Sequence, residues 1–341
     1  MISQRWLKMS VLYIVENGAL LGVESNRLTV KYKDGLFRTV PIETIDGITL
    51  IGKNQLTTQC MERCMEMGIP VSFFSKGGKY FGRLMSTGHI KASLQRKQAR
   101  LYDTEFAVEL ARRLIKAKIS NQITVLRRYA KSKQIDVDTQ IFNMQNSKRK
   151  LEECSTVSEI IGYEGTAARS YFEGLSDCIE EDFIFNGRSR RPPKDEFNSL
   201  ISLGYSILMN DLYCEIESHG LNPYFGFLHR DSENHPTLAS DLMEEWRAVL
   251  VDSLAMSMIN GHELRKDDFT IEEGGQGCFL TRECVRKYIS KLDDKMKTKT
   301  KYIEEVNYPV NFRGAISLQV GSLVKAIESG DFTVYNPIQI R

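Results

Sequence analysis

The chain has 341 residues, 42% hydrophobic and 26% charged, an ordinary globular balance at a length that accommodates two domains. Seven scattered cysteines without a CxxC pair exclude a disulfide-stapled scaffold or zinc ribbon, and no apolar run is long enough to span a bilayer. The opening MISQRWLKMSVLYIVENG lacks the shape of a signal peptide, so a cytoplasmic protein with free thiols is expected.

Up to about position 88 the sequence predicts strands: VLYIV, ALLGVES, RLTVKYKDG, LFRTVPI and DGITLIG, divided by Asn-Gly, Ser-Asn and Asp-Gly turns. One helix, LTTQCMERCMEM, interrupts them, places Cys60 and Cys64 on one packing face, and ends at Gly68. IPVSFFS and KYFGRLMS follow as two further strands around a Lys-Gly-Gly turn. From Ala92 onward the period is helical. Gly88 and His89 mark the hinge. The expected fold is therefore α+β, with a β-rich domain over residues 1–88 and a larger all-α domain over residues 89–341. Within the second domain NGRSRRPPKDEFN, residues 186–198, reads as a loop, with a new helix near Asp195. The charged stretch 293–308 is a candidate mobile segment.

Charge is distributed unevenly. Residues 91–150 contain fifteen Lys or Arg against five Asp or Glu, a local balance of +10. Arg96, Lys97, Arg100, Arg112, Arg113, Lys116, Lys118, Arg127, Arg128, Lys131 and Lys133 punctuate a helical pattern there. A folded basic stripe is the footprint of a polyanion partner, and it is equally compatible with a solvated helix face.

Several enzyme classes are absent. There is no Walker motif, no GxSxG elbow, no dinucleotide fingerprint at Gly274-Gly275-Gln276-Gly277, and no second histidine to make a zincin of His262-Glu263. What breaks local rules is Glu164 in IIGYEGTAARSYF, on the helix side shared by Ile160, Ile161, Ala168, Tyr171, Leu175 and Ile179. A buried ionised carboxylate is costly unless it is paired or coordinates a metal. A second irregular stretch, NPYFGFLHRDSENHPTLASDLMEEWR, carries His229 on an aromatic-rich turn, then a helix from about Ala239 or Ser240. Asp241 and Glu244 share one face of that helix, where two carboxylates repel unless a cation lies between them. Glu245 reads as an ordinary residue near a helix start. Oxygen and nitrogen donors without sulfur would favour Mg²⁺ or Mn²⁺. Spacing alone leaves a metal site and isolated capping or core residues both open.

At these residues the sequence resembles the CRISPR-associated Cas-one family, the integrase of spacer acquisition. The matching blocks are GYEGTAARSYF at 162–172, RRPPKDEFNSLISLGYSIL at 190–208, LNPYFGFLHRD at 221–231 and LASDLMEEWR at 238–247. IDGITLIG, the helix after it and GIPVSFF extend the resemblance to the strand domain; the match weakens from about Asp293. The resemblance implies a Mg²⁺ or Mn²⁺ ion held by Glu164, His229 and Glu244, with Asp241 contributing beside them. It also implies a homodimer formed through the strand domains, and a Cas-two dimer bridging two homodimers. The reaction it implies is insertion of short duplex DNA into a CRISPR array by attack of a 3′-hydroxyl on a phosphodiester, with endonuclease activity when water attacks instead. Arg112, Arg113, Arg127, Arg128, Arg188, Arg190, Arg191 and Lys194 are then expected to position DNA phosphates. Asn198 is expected near the site or as a helix-start hydrogen-bonding residue, and Tyr163 and Tyr171 as packing. The rival readings are a non-enzymatic nucleic-acid scaffold and a metal nuclease outside CRISPR immunity.

Overall fold

Short β-branched runs closed by turn residues build the N-terminal part of the computed structural model, which describes residues 10–190, 192–271, 277–301, 303 and 306–341. The strands are β1 (Val11–Ile14), β2 (Leu20–Glu24), β3 (Arg27–Lys31), β4 (Phe37–Pro41), β5 (Gly47–Ile51), β6 (Gln55–Leu56), β7 (Val71–Phe74) and β8 (Tyr80–Leu84). Ser25 and Asn26, both with positive φ, make the two-residue turn of the β2–β3 hairpin, where Glu24 pairs with Arg27. One sheet runs β1-β5-β7-β8, parallel except for β8; the other runs β4-β3-β2-β6. The two-residue β6 ends at Leu56, the expected start of the helix, and is too short to leave a periodic signal. Helix α1 (Thr58–Glu66) starts just after it, capped by the Thr57 hydroxyl, which accepts from the Cys60 N–H at 3.2 Å. Cys60 and Cys64 are fully buried with Leu21, Leu28, Ile48 and Val71 in the core of this part.

The helical part comprises α2 (Ala92–Arg100), α3 (Glu105–Lys133), α4 (Asp138–Lys150), α5 (Val157–Asp177), α6 (Glu196–Ser218), α7 (Thr237–Met243), α8 (Ser253–Asn260), α9 (Arg282–Lys297) and α10 (Phe312–Ser329). It is not wholly α. Two small antiparallel ribbons interrupt it: β9 (Phe269–Ile271) with β10 (Cys278–Leu280), and β11 (Lys299–Thr300) with β12 (Val310–Asn311). Thr156 and Glu159 form a capping box that starts α5, and Asp195 caps α6 by accepting from the Asn198 N–H at 2.8 Å. Helix α7 begins at Thr237, slightly earlier than expected, and a π-helical turn over Arg247–Asp252 carries the chain into α8. Such widened turns recur at functional sites.

Helix α3 buries fifteen of its 29 residues in the helical core. Of the basic side chains counted in residues 91–150, Lys118 at 8% exposure and Arg112 at 13% point inward. Arg313 joins the two parts by donating to the Tyr13 hydroxyl at 3.2 Å, as does the Ser72 hydroxyl by donating to Asn210 at 2.7 Å. The charged stretch 293–308 is largely tied down: α9 continues to Lys297, Arg313 pairs with Asp293 at 2.9 Å, and Thr300, Ile303 and Val306 are buried. Tyr302, Glu304 and Glu305 lie outside the described residues. Among the described residues, no helix is long and apolar enough to cross a membrane.

Candidate active site

Glu164 reaches the site from α5, whose buried stripe runs through Ile160, Ala167, Tyr171 and Leu175. Glu164 falls on that stripe and is 23% exposed in its side chain, whereas Ile161, expected beside it, faces solvent. Residues 222–236 and α7 supply the other groups. Here Asp241, fully buried, organises the backbone. Its Oδ2 accepts from the Phe227 and Leu228 N–H groups at 2.6 and 2.9 Å, and its Oδ1 from the His229 N–H at 2.9 Å. The same Oδ1 accepts from His229 Nδ1 at 2.7 Å. Gly226 is required by this close approach: a Cβ there would lie 2.8 Å from Asp241 Oδ2 and 2.9 Å from Thr237.

With its Nδ1 hydrogen donated to Asp241, His229 turns Nε2 toward Glu244, 3.8 Å from Oε1. Burial opposes a charge on His229, but Asp241 and then Glu244 outweigh it and raise its pKa above the ordinary histidine value. Glu244 is 5% exposed and follows the last residue of α7. Arg247, one turn on, approaches its Oε1 at 3.1 Å, and the Lys118 ammonium from α3 approaches its Oε2 at 2.5 Å. Burial works against ionisation of Glu244, yet Arg247, Lys118 and His229 together hold its pKa down at about 2. Lys118 also donates to Glu164 Oε1. Three segments distant in sequence thus bring Glu164, His229 and Glu244 together, and one ammonium joins the two glutamates.

The donor set is two carboxylates and an imidazole whose second nitrogen is fixed by a buried aspartate, an arrangement suited to a hard divalent cation. In the present arrangement the ammonium of Lys118 takes the cation's part, and among the described residues no three acidic, imidazole or thiol groups stand at metal-cluster spacing. Behind the site, Arg247 stacks over the Tyr205 ring at 4.6 Å. Tyr205 and Tyr171 donate to Asp252, the latter at 3.1 Å, and burial pushes the Asp252 carboxyl up to about 6. Tyr171 is therefore a buried structural donor, and Tyr163 is exposed. Lys118 and Arg247 were missed as site residues by sequence reasoning. The signal for Lys118 was available: its helix neighbours at three and four residues are Leu114, Ile115, Asn121 and Gln122, all buried.

The chain is similar to known proteins over most of its length. The family profile described as CRISPR associated protein Cas1 matches residues 12–294. The chain belongs to the Cas1 family. It is 34% identical over 323 residues to the CRISPR-associated endonuclease Cas1 of Mycobacterium tuberculosis, covering 94% of this chain and 95% of that one. To a Cas1 endonuclease of Methanospirillum hungatei it is 30% identical over 332 residues, covering 97% and 91%. The fold is similar to that of a Cas1 protein from Thermotoga maritima, with a TM-score of 0.81, 25% identity, and coverage of 94% and 98%. A chain of a Cas6-RT-Cas1–Cas2 complex matches with a TM-score of 0.82 and 28% identity over 97% of this chain, which spans 36% of that longer chain.

The arginines expected to meet DNA differ in their surroundings. Arg112 is not available to a phosphate: its guanidinium pairs with Glu109 and donates to the carbonyls of Leu151, at 2.8 Å, and Cys154, at 2.5 Å. It ties α3 to the segment that leaves the end of α4. Arg113 is half-buried, donating to the Tyr335 carbonyl at 3.4 Å. Arg127, Arg128 and Arg190 are exposed. Arg188 and Arg190 line a cleft of about 820 Å³ that also includes Lys76, Lys79 and Arg247. Arg191 lies outside the described residues. Asn198 fixes that cleft's wall, accepting from Arg188 at 2.7 Å and the Ser189 N–H at 3.0 Å while donating to the Gly187 carbonyl at 2.9 Å. Glu245 anchors the C-terminal segment: it accepts from the Tyr335 hydroxyl and the Ile338 N–H, both at 2.6 Å.

Proposed function

We propose that the chain is the integrase of CRISPR adaptation, joining the 3′-hydroxyl of a short DNA duplex to a phosphodiester of the array repeat and acting as an endonuclease when water is the nucleophile. The observation that carries this reading is the grouping of Glu164 and Glu244 about Lys118, with His229 beside Glu244, next to a cleft lined by cations that shares Arg247 with the group. The endonuclease names of the relatives, and the Cas1–Cas2 complex among the similar structures, support the same reading. Glu164, Glu244 and His229 Nε2 would hold Mg²⁺ or Mn²⁺. Such an ion supplies Lewis-acid polarisation of a phosphate and acidification of a coordinated hydroxyl.

The chain's own residues do the rest. Asp241 holds the proton on His229 Nδ1, so Nε2 presents a lone pair. Arg247 keeps Glu244 ionised and fixes its rotamer. Arg188, Arg190, Lys76 and Lys79 would guide a phosphate backbone along the cleft, contributing affinity rather than sequence choice. The working assembly in this reading is a homodimer paired through residues before His89, with a Cas2 dimer bridging two such homodimers.

The test is integration of a fluorescent duplex into a plasmid carrying a CRISPR array, with and without Cas2 and Mn²⁺. Covalent transfer of label into the leader-proximal repeat, dependent on the ion and lost in Glu164→Ala, is expected. Cleavage without transfer under every condition would instead identify a general nuclease. Duplex binding with neither reaction would identify a scaffold.

A further inference from the structure

Lys118 is the residue of the site that the proposed chemistry leaves without a task. Its ammonium lies between Glu164 and Glu244, hydrogen-bonded to the first and ion-paired to the second. Glu244 Oε2 is buried and lies 2.5 Å from the ammonium, within reach of a charge-assisted hydrogen bond. Its neighbour Oε1 has Arg247 at 3.1 Å. Glu244 therefore has a cation beside each oxygen, Lys118 at Oε2 and Arg247 at Oε1.

The geometry points to Lys118 as a resident counter-cation that occupies the divalent ion's place between Glu164 and Glu244 and must withdraw from it when the ion binds. This inference rests on the metal-binding reading given above. Its physical basis is charge and reach. Two facing carboxylates cannot both stay ionised and close without a cation. An ammonium on a flexible four-carbon stem can neutralise them and leave by rotation about its own bonds, which a planar guanidinium could not do as readily. Withdrawal need not strand the charge, because Glu164 and His229 are both partly exposed and open the pocket to water. Lys118 would thus hold the site together before the ion arrives and weaken the ion's net affinity by competing for the same oxygens.

The experiment measures Mn²⁺ binding directly, by the electron paramagnetic resonance signal of free Mn²⁺, in full-length wild type, Lys118→Met and Lys118→Arg. Thermal unfolding with and without Mn²⁺ accompanies it. Lys118→Met should bind Mn²⁺ at least ~10-fold more tightly, the equivalent of one modest ion pair no longer displaced. Its metal-free form should melt lower than wild type, and Mn²⁺ should raise its midpoint by more. Lys118→Arg should bind the ion more weakly than wild type, which keeps the inference testable if the methionine variant fails to fold. Equal or weaker binding by a folded Lys118→Met, or tighter binding by Lys118→Arg, would overturn it. If wild type binds no Mn²⁺, or Glu164→Ala binds it as well as wild type, the metal reading itself fails and takes this inference with it.

Discussion

The two halves of the site are held by different forces. On one side, Asp241 accepts from three backbone N–H groups and the His229 ring, so every contact is directional and the group is closed to water. On the other, Glu164 and Glu244 are held by ion pairs, through Lys118 and Arg247. The first arrangement fixes an imidazole in one tautomer and one position. The second can exchange its cation. In the proposed function a site that accepts an ion and a phosphate would need both: one rigid wall to set geometry, and one whose charges can be redistributed.

The largest effect that sharpens this contrast is on catalysis. Glu164→Ala should reduce strand transfer by about 10³-fold or more, since it removes a proposed ligand of the ion. It should leave duplex affinity within about twofold, because the cationic groups proposed to meet phosphate are elsewhere. Transfer assays and fluorescence anisotropy on one protein preparation measure both. A loss of affinity as large as the loss of transfer would mean that Glu164 shapes the DNA surface and not the chemistry.

The rigid half should respond in stability. Asp241→Ala strands four donors in a dry interior and is expected to cost about 3–5 kcal/mol, visible in urea unfolding. Gly226→Ala should cost about 1–3 kcal/mol, through the clash of its Cβ with Asp241 and Thr237. Glu164→Ala, by contrast, should change stability little, because Lys118 keeps Glu244 as its partner. If Glu164→Ala unfolds the protein as readily as Asp241→Ala, the two halves are not held differently.

How far this was legible in the sequence follows the same division. The strands β1 to β5, β7 and β8 announce themselves through turn residues, and Glu164 through its place on an apolar stripe. The clamp on His229 had no such signal: Asp241 was visible as a carboxylate, but its partners are backbone N–H groups of Phe227, Leu228 and His229, which carry no side-chain pattern. Lys118 was counted into a basic stripe because a charge tally records sign and not direction. The helix neighbours of Arg128 are Thr124, Val125, Lys131 and Ser132, and it is exposed; those of Lys118 are buried. Applying to lysine the rule used for Glu164 would have separated them. Arg112 was equally opaque, because its partners are the carbonyls of Leu151 and Cys154 at the far end of α4.

That separation gives a smaller, graded prediction. Replacing Arg127 and Arg128 with Ala should flatten the dependence of log affinity on log salt by ~0.9 for each B-DNA phosphate they cease to neutralise, with no change in unfolding. Arg112→Ala should do the opposite, costing about 1–3 kcal/mol of stability through two orphaned carbonyls while the salt slope stays as in wild type. Titrations across a salt series, beside urea curves, distinguish the two. An unchanged slope in the double variant would make those arginines a solvated face.

The smallest expected effect compares two lysines of the helical interior. Lys118 has two carboxylates, which outweigh its burial and raise its pKa. Lys295 donates to the Ser253 hydroxyl at 2.5 Å; burial first, and then Arg128, push its pKa down to about 7, against a weaker opposing pull from Asp252. Unfolded lysine titrates near ~10.4, so between about 7 and ~10.4 the unfolded chain binds a proton that the native chain does not, and stability rises with pH. The contribution is complete above the unfolded value and is lost as pH falls through the native one. Lys295→Met removes that dependence. It should therefore be more stable than wild type at pH 6.5, with a higher midpoint, and the advantage should shrink toward pH 10. Melting both proteins across that range, with all other titrating groups common to the two, isolates the one lysine. An advantage that is constant with pH would show that the methionine acts by packing alone, and that Lys295 keeps its proton in the folded chain.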